Sequence, residues 1–219
     1  MGHKRRWVGA YRRLREMIDE GELGMVPQLE ANISKPSMLN PRPGWRNDPT
    51  EAPVGSMTGQ GIHLVDIFYY LSGPVKRLCA FSKKLLGRSN LDDVTSVVFE
   101  FESGPIGYLG TSYVTPRIVT VAAFGTEANA WSEENGSKFY FQEKDKQARR
   151  ELPVEMSDCV ADELADFARC IREGGCPEAG GPEGLEVAAI LEAIIESVKS
   201  NRVVEVSQIR GPRAIRKHN

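Results

Sequence analysis

The chain is poor in the residues from which metal sites and disulfide scaffolds are built. Its 219 residues hold four cysteines and three histidines. Cys79, Cys159, Cys170 and Cys176 form no CxxC pair and match no zinc spacing, so free thiols are the expectation. Cys170 and Cys176 flank the Gly174-Gly175 turn, and a disulfide between them is the disfavoured alternative. No GxGxxG and no GxxxxGK[ST] is present, and helices do not alternate with strands. That excludes a self-contained dinucleotide or P-loop fold. Gly104, Gly107 and Gly110 are regularly spaced but fall on a hairpin and open no helix. No run approaches the roughly 18 apolar residues of a membrane span. The basic start, residues 1–6, is not followed by an apolar stretch. No leader is therefore expected, and a cytoplasmic location with reduced thiols is. The net charge of −2 gives no general reason to expect nucleic acid as a partner.

What remains is an ordinary globular composition, 41% hydrophobic and 26% charged. A chain of this length is expected to form one domain with a full core. Charge is unevenly spread. Lys4, Arg5, Arg6, Arg12, Arg13 and Arg15 precede the first acid, and Arg210, Arg213, Arg216 and Lys217 close the chain. Residues 16–209 then carry 18 bases against 30 acids, a net −12. A basic end can bind phosphate, but a solvated helix start and a frayed tail are the favoured reading.

Periodicity organises the rest. Tyr11, Leu14, Met17 and Ile18 share one helical face, stopped by Gly21 and Gly24. Residues 25–34 alternate, with Met25, Leu29, Ala31 and Ile33 on the apolar side. Residues 35–57 hold five prolines and no period, a long loop of the kind that often carries function. A helix from Thr58 or Gly59 to Leu71 is apolar nearly all round and should be buried. Strands are expected near 75–86, 93–102, 106–114, 118–125, 128–133 and 137–144, with a weak one near 148–152. The short turns between them imply an antiparallel meander. Helices at 159–172 (capped by Ser157 or Asp158) and 183–199 follow, then a strand near 203–206. The fold class is α+β: a large, open, mostly antiparallel sheet with helices packed on one face. Val94 and Val98 alternate with Val97, Phe99 and Phe101, and 118–124 is nearly all apolar. The second sheet face therefore needs a cover, and a homodimer through it is expected, with Phe99 or Val121 as probes.

Chemistry concentrates at two places. His63 lies on the buried helix with Asp66 three residues on, so the two can share a face. The pair can serve as a general acid or base or be a satisfied core pair; one histidine and one aspartate are too few for a metal. Trp45-Arg46, in the proline-rich loop, can stack on a flat ring and pair with phosphate or carboxylate, or simply anchor the loop. Asp92-Asp93 reads as a turn and strand-start cap.

Together these segments resemble the glucose–fructose oxidoreductase / inositol dehydrogenase / rhizopine catabolism family. The residues are Gly2-His3-Lys4-Arg5-Arg6, Gly21-Glu22-Leu23-Gly24, Trp45-Arg46, Gly59-Gln60-Gly61-Ile62-His63-Leu64-Val65-Asp66 and Leu71-Ser72-Gly73-Pro74-Val75. The Asp92-Asp93 strand start, 101–104, Phe124-Gly125-Thr126 and the helix at 162–172 fit in the same order. The resemblance implies an enzyme of two domains, a Rossmann domain for NAD or NADP followed by an α+β domain for substrate and oligomer contacts. Residues 1–219 resemble the second domain alone.

The resemblance implies roles residue by residue. His63, in GxHxxD, matches the catalytic histidine that acts as acid or base at a sugar or cyclitol hydroxyl. Trp45 and Arg46 match the pair lining the cofactor and substrate cleft, and Arg46, Gly61, His63 and Asp66 the substrate site. Two departures stand out. Position 59, often an aspartate, is glycine, and the catalytic lysine of a Glu-Lys-Pro motif belongs to the other domain. The resulting expectation is a substrate-binding and oligomerisation domain of an NAD(P)-dependent oxidoreductase, inactive and without tight cofactor binding on its own. A stand-alone dimerisation or small-ligand module of the same descent is the alternative.

Overall fold

In the computed structural model, residues 1–39, 44–87 and 89–211 are described. Two of the five loop prolines, Pro41 and Pro43, and the tail residues Arg213, Arg216 and Lys217 lie outside the described residues. The strands are β1 (Gln28–Ser34), β2 (Val75–Lys83), β3 (Val94–Phe101), β4 (Ile106–Ser112), β5 (Ile118–Phe124), β6 (Ala128–Glu133), β7 (Lys138–Glu143), β8 (Arg150–Leu152) and β9 (Val204–Glu205). Among the described residues they form one nine-stranded sheet in the order β8-β7-β6-β5-β1-β4-β3-β2-β9. The helices are α1 (Gly9–Asp19), α2 (Ile62–Ser72), α3 (Cys159–Glu173), α4 (Gly181–Ser200) and a short α5 (Val206–Arg210). This is the expected large, mostly antiparallel open sheet with helices.

The pure meander fails at one place. Strand β1 wedges between β4 and β5, parallel to the first and antiparallel to the second. The connection 113–117 therefore steps over a strand instead of turning back. Two strand spacings are about 10 Å, within reach of five extended residues. Residue spacing along the chain cannot reveal such an insertion, because the inserted strand comes from far earlier in sequence.

Alternation decides which side chains enter the core. Leu29, Ala31 and Ile33 of β1, Val97, Phe99 and Phe101 of β3, and Val119, Val121 and Ala123 of β5 all face the helices and are buried. Phe68 of α2 meets Phe99 and Phe101 edge-on at 5.6 and 5.9 Å between ring centres. Phe99 and Val121 are thus core residues and not probes of an interface. The outward positions mix apolar Val98, Ile106, Tyr108 and Ile118, each 42–48% exposed, with polar Glu30, Asn32, Ser96 and Thr120. Helix α4 is tied to the sheet by Ser197, whose hydroxyl accepts from Ala80 N–H at 3.0 Å and donates to the Arg202 carbonyl at 2.6 Å.

Helix α3 behaves differently. Asp158 caps it, accepting from the N–H groups of Val160 and Ala161. No residue of α3 is buried. Val160, Leu164, Phe167 and Ile171 recur at helical spacing and are 44–69% exposed.

Most of the basic start is paired with acids of this chain, with Arg6 buried and Arg12, Arg13 and Arg15 partly exposed. Arg6 is buried against Asp66; Arg12 pairs with Glu178 at 2.9 Å, Arg13 with Glu22 at 2.8 Å and Arg15 with Asp19 at 2.7 Å. At the other end Arg210 is buried against Glu186 at 2.9 Å. The four cysteines are free thiols. No helix among the described residues is long and apolar enough to cross a membrane.

Candidate active site

Helix α2 does not start as an ordinary α-helix. A π-type turn, Met57–Gly61, runs into it, because small residues at 59 and 61 let the backbone press onto β4. A Cβ on Gly61 would lie 2.2 Å from Met57 Sδ and 2.9 Å from Thr111 Cγ2. One wider turn in an otherwise regular helix is a common device at functional sites. The segment before it is pinned by hydroxyls. Ser56 and Thr111 share a hydrogen bond at 2.8 Å, and Thr95 Oγ1 donates to the Val54 carbonyl at 3.1 Å. Val54 has φ +54°, a strained value for a β-branched residue, held by that contact.

His63 sits in the first turn of α2 and is half-buried. Burial pushes its pKa down to about 4; Arg5, His3 and Lys4 add to the effect, and Asp66 opposes it. The imidazole is therefore neutral at pH 7. It can accept a proton or a hydrogen bond and is a poor acid.

Asp66 does share the helix with His63, but its carboxylate is taken by Arg6. The guanidinium grips it through Nε at 3.0 and 3.1 Å and Nη2 at 2.6 Å, and sends Nη1 to the Glu178 carbonyl at 2.9 Å. Both side chains are buried. The aspartate thus fixes the N-terminal segment onto α2, which sets Lys4, Arg5 and His3 close enough to act on His63. His3 is 5% exposed, and neither ring nitrogen has a hydrogen-bond partner among the described residues. Burial lowers its pKa as well, so it too favours the neutral form.

Trp45 and Arg46 lie in a short turn, Trp45–Asn47, and are exposed. The guanidinium stacks on the indole 4.1 Å from its centre. Arg46 is close enough to Tyr113 to pull the phenol pKa down against the larger upward effect of burial. Tyr113 follows β4 and reaches the π-type turn: a Cβ on Gly59 would lie 1.8 Å from its hydroxyl oxygen. Position 59, where the resemblance leads one to expect an acid, has no room for any side chain while Tyr113 stays. His63, Gly61 and Asp66 thus gather at the start of α2, and Trp45-Arg46 approaches through Tyr113. His3 and Arg6 entered the sequence reading only within the basic start and the 2–6 segment, with no site role assigned, and Tyr113 not at all. Each is remote in the chain from what it touches, and no local spacing marks it.

Residues 11–130 match the family model of the GFO/IDH/MocA C-terminal domain, and the chain belongs to that family. It is similar to a crystal structure of a candidate NADPH-dependent oxidoreductase from Desulfitobacterium hafniense. The identity there is 31%, the TM-score 0.89, and the match covers 96% of this chain and 65% of the other. D-apiose dehydrogenase from Paraburkholderia graminis is 24% identical over 165 residues, 68% of this chain and 44% of that enzyme. The fold also matches levoglucosan dehydrogenase in complex with NADH and levoglucosan, at 20% identity and TM-score 0.83 over 95% of this chain and 66% of the other. The chain therefore spans about two thirds or less of each relative's length.

Proposed function

We propose that this chain is the substrate-side domain of an NAD(P)-dependent oxidoreductase acting on a sugar, cyclitol or similar polyol, and that it works only against a nucleotide-binding domain. The observation that carries the reading is His63, a half-buried imidazole held neutral at the mouth of a π-type turn, in a chain of this family. Only the unprotonated imidazole can take the proton of a hydroxyl undergoing oxidation, and with a pKa of about 4 His63 is in that state at neutral pH, though as a weak base in this domain alone.

The cofactor fits this chain only in part. No phosphate-cradling glycine motif is present, so the pyrophosphate has no site here. The exposed Trp45–Arg46 stack offers a donor fork for a carboxamide or the substrate. When bound, the nicotinamide supplies the hydride acceptor. This chain's part is to orient the substrate carbon, hold its hydroxyl against His63 and receive its proton on the imidazole. Gly61 contributes closeness, bringing the helix start down onto Thr111. Asp66 contributes through Arg6, which fixes the wall behind His63. The apolar stripe Val160, Leu164, Phe167 and Ile171 of α3 is 44–69% exposed among the described residues and suits a further domain. Leu164 and Phe167 of that stripe line a cleft with Met1, Gly2 and Trp7 of the N-terminal segment.

A homodimer through the outer sheet face and a cytoplasmic location belong to the same proposal; exposed Val98, Ile106, Tyr108 and Ile118 support the first. They also favour the second reading, a non-catalytic dimerisation or small-ligand module. Joining the chain to a nucleotide-binding domain and following NAD(P)H formation with a panel of sugars separates the two. Turnover supports the enzyme. A ligand-binding dimer that never turns over supports the module.

A further inference from the structure

We propose that the Tyr113 hydroxyl is a second substrate-contacting group, donating a hydrogen bond to a sugar oxygen adjacent to the hydroxyl that His63 engages. The proposal rests on the sugar or polyol reading above. Its basis is the approach of the phenol to the helix start. A Cβ on Gly59 would stand 1.8 Å from Tyr113 Oη and 3.1 Å from Cζ, so the hydroxyl occupies the very place a side chain would take. Gly59 precedes His63 by four residues, about one helical turn or 6 Å along the axis. The phenol oxygen of Tyr113, a residue that is 5% exposed, therefore lies against the backbone about one turn before His63.

Tyr113 is also held. Its N–H donates to the Asp93 carbonyl at 2.8 Å, and its carbonyl accepts from Met38 N–H at 3.1 Å. The ring packs with Met38, Ala52 and Leu91. Asp93 is fixed in turn, its carboxylate accepting from Leu85 and Leu86 N–H at 2.9 and 2.8 Å. A tyrosine needed only to fill this space could be a phenylalanine, and position 59 would not have to yield to an oxygen. Arg46 is close enough to the phenol to act on it electrostatically, so Tyr113 neighbours the Trp45–Arg46 stack as well as the helix start.

The chemistry is complementary. Burial keeps the phenol protonated at neutral pH, so Tyr113 donates where neutral His63 accepts. A vicinal diol fits such a pair. One hydroxyl gives its proton to the imidazole, and the oxygen on the adjacent carbon accepts from the phenol.

The test uses the 219-residue chain labelled with 13C at tyrosine Cζ, with the Tyr113 resonance identified by its loss in Tyr113→Phe. Levoglucosan and D-apiose are added, and binding is read independently by saturation transfer to the sugar. The expected result is a shift of the Tyr113 resonance on binding, and an affinity about three- to tenfold weaker in Tyr113→Phe. Gly59→Ala, which must push the phenol aside, should weaken binding similarly, and the double variant should be no worse than Tyr113→Phe alone. A sugar that binds with the Tyr113 resonance unmoved and Tyr113→Phe at full affinity overturns the proposal and leaves the substrate reading standing. No binding of either sugar overturns the substrate reading and this proposal with it.

Discussion

Removing Asp66 should cost this protein far more than a surface acid would, and the amount follows from the geometry around Arg6. Three hydrogen bonds of 2.6–3.1 Å join the two side chains, and the pair is almost fully withdrawn from water. Asp66→Ala leaves a buried guanidinium with the Glu178 carbonyl as its remaining hydrogen-bond partner. Breaking a buried pair from one side typically costs about 3–5 kcal/mol, because the surviving charge is uncompensated. For a domain of this size each kcal/mol lowers Tm by about 2–4 °C, so the expected fall is about 6–20 °C. Replacing both partners with apolar groups of similar volume removes the uncompensated charge. Arg6→Met/Asp66→Leu should therefore recover most of the loss. Thermal unfolding followed by circular dichroism reads both variants. An Asp66→Ala protein melting within about 2 °C of the parent would refute the reasoning, as would a double variant less stable than the single one.

Acid should weaken the fold through His63. Its folded pKa of about 4 lies below the ordinary 6.5, so the unfolded chain takes up the proton first and stability drops as pH falls from about 6.5 to about 4. His63→Asn should flatten that part of the urea-midpoint profile relative to the parent; identical slopes contradict the assignment. His3 acts in the same direction and should leave a residual slope. Gly61→Ala must displace Met57 and press on Thr111, at an expected cost of about 1–3 kcal/mol in urea unfolding; a neutral result would mean that the helix start lifts off β4 easily. If the outer sheet face makes a dimer, Val98→Glu and Ile118→Glu should yield folded monomer by light scattering, whereas Phe99→Glu should not fold. A parent protein that is monomeric at tens of micromolar removes the dimer.

The elements were legible because burial on one face imposes a period. Leu29, Ala31 and Ile33 mark β1, and Tyr11, Leu14 and Met17 mark α1. Met25 was read with the strand, yet it is 71% exposed; the strand starts at Gln28, after Pro27, which has no N–H to give the ladder. Pairing was less legible. The β1 wedge joins segments more than seventy residues apart, and local pattern is silent on that. Of the candidate site residues, His63 and Trp45-Arg46 were picked out by residue type, spacing and resemblance. Arg6 was hidden in a basic run that looks solvated; its partner lies sixty residues away. Tyr113 was hidden for the same reason, and the only trace of it near His63 is the glycine at 59 that makes room.

The central claim is that this domain supplies His63 to a hydride transfer whose nucleotide site lies in another domain. The most direct test is NAD(P)H formation from a sugar substrate, measured for the chain alone, for the chain joined to a nucleotide-binding domain, and for the joined protein with His63→Asn. The account predicts no turnover and no NAD(P) binding tighter than millimolar alone, turnover when joined, and a loss of about 10²- to 10⁴-fold in kcat/KM with His63→Asn. Micromolar NAD(P) binding by the chain alone, or undiminished kcat/KM without His63, would contradict it.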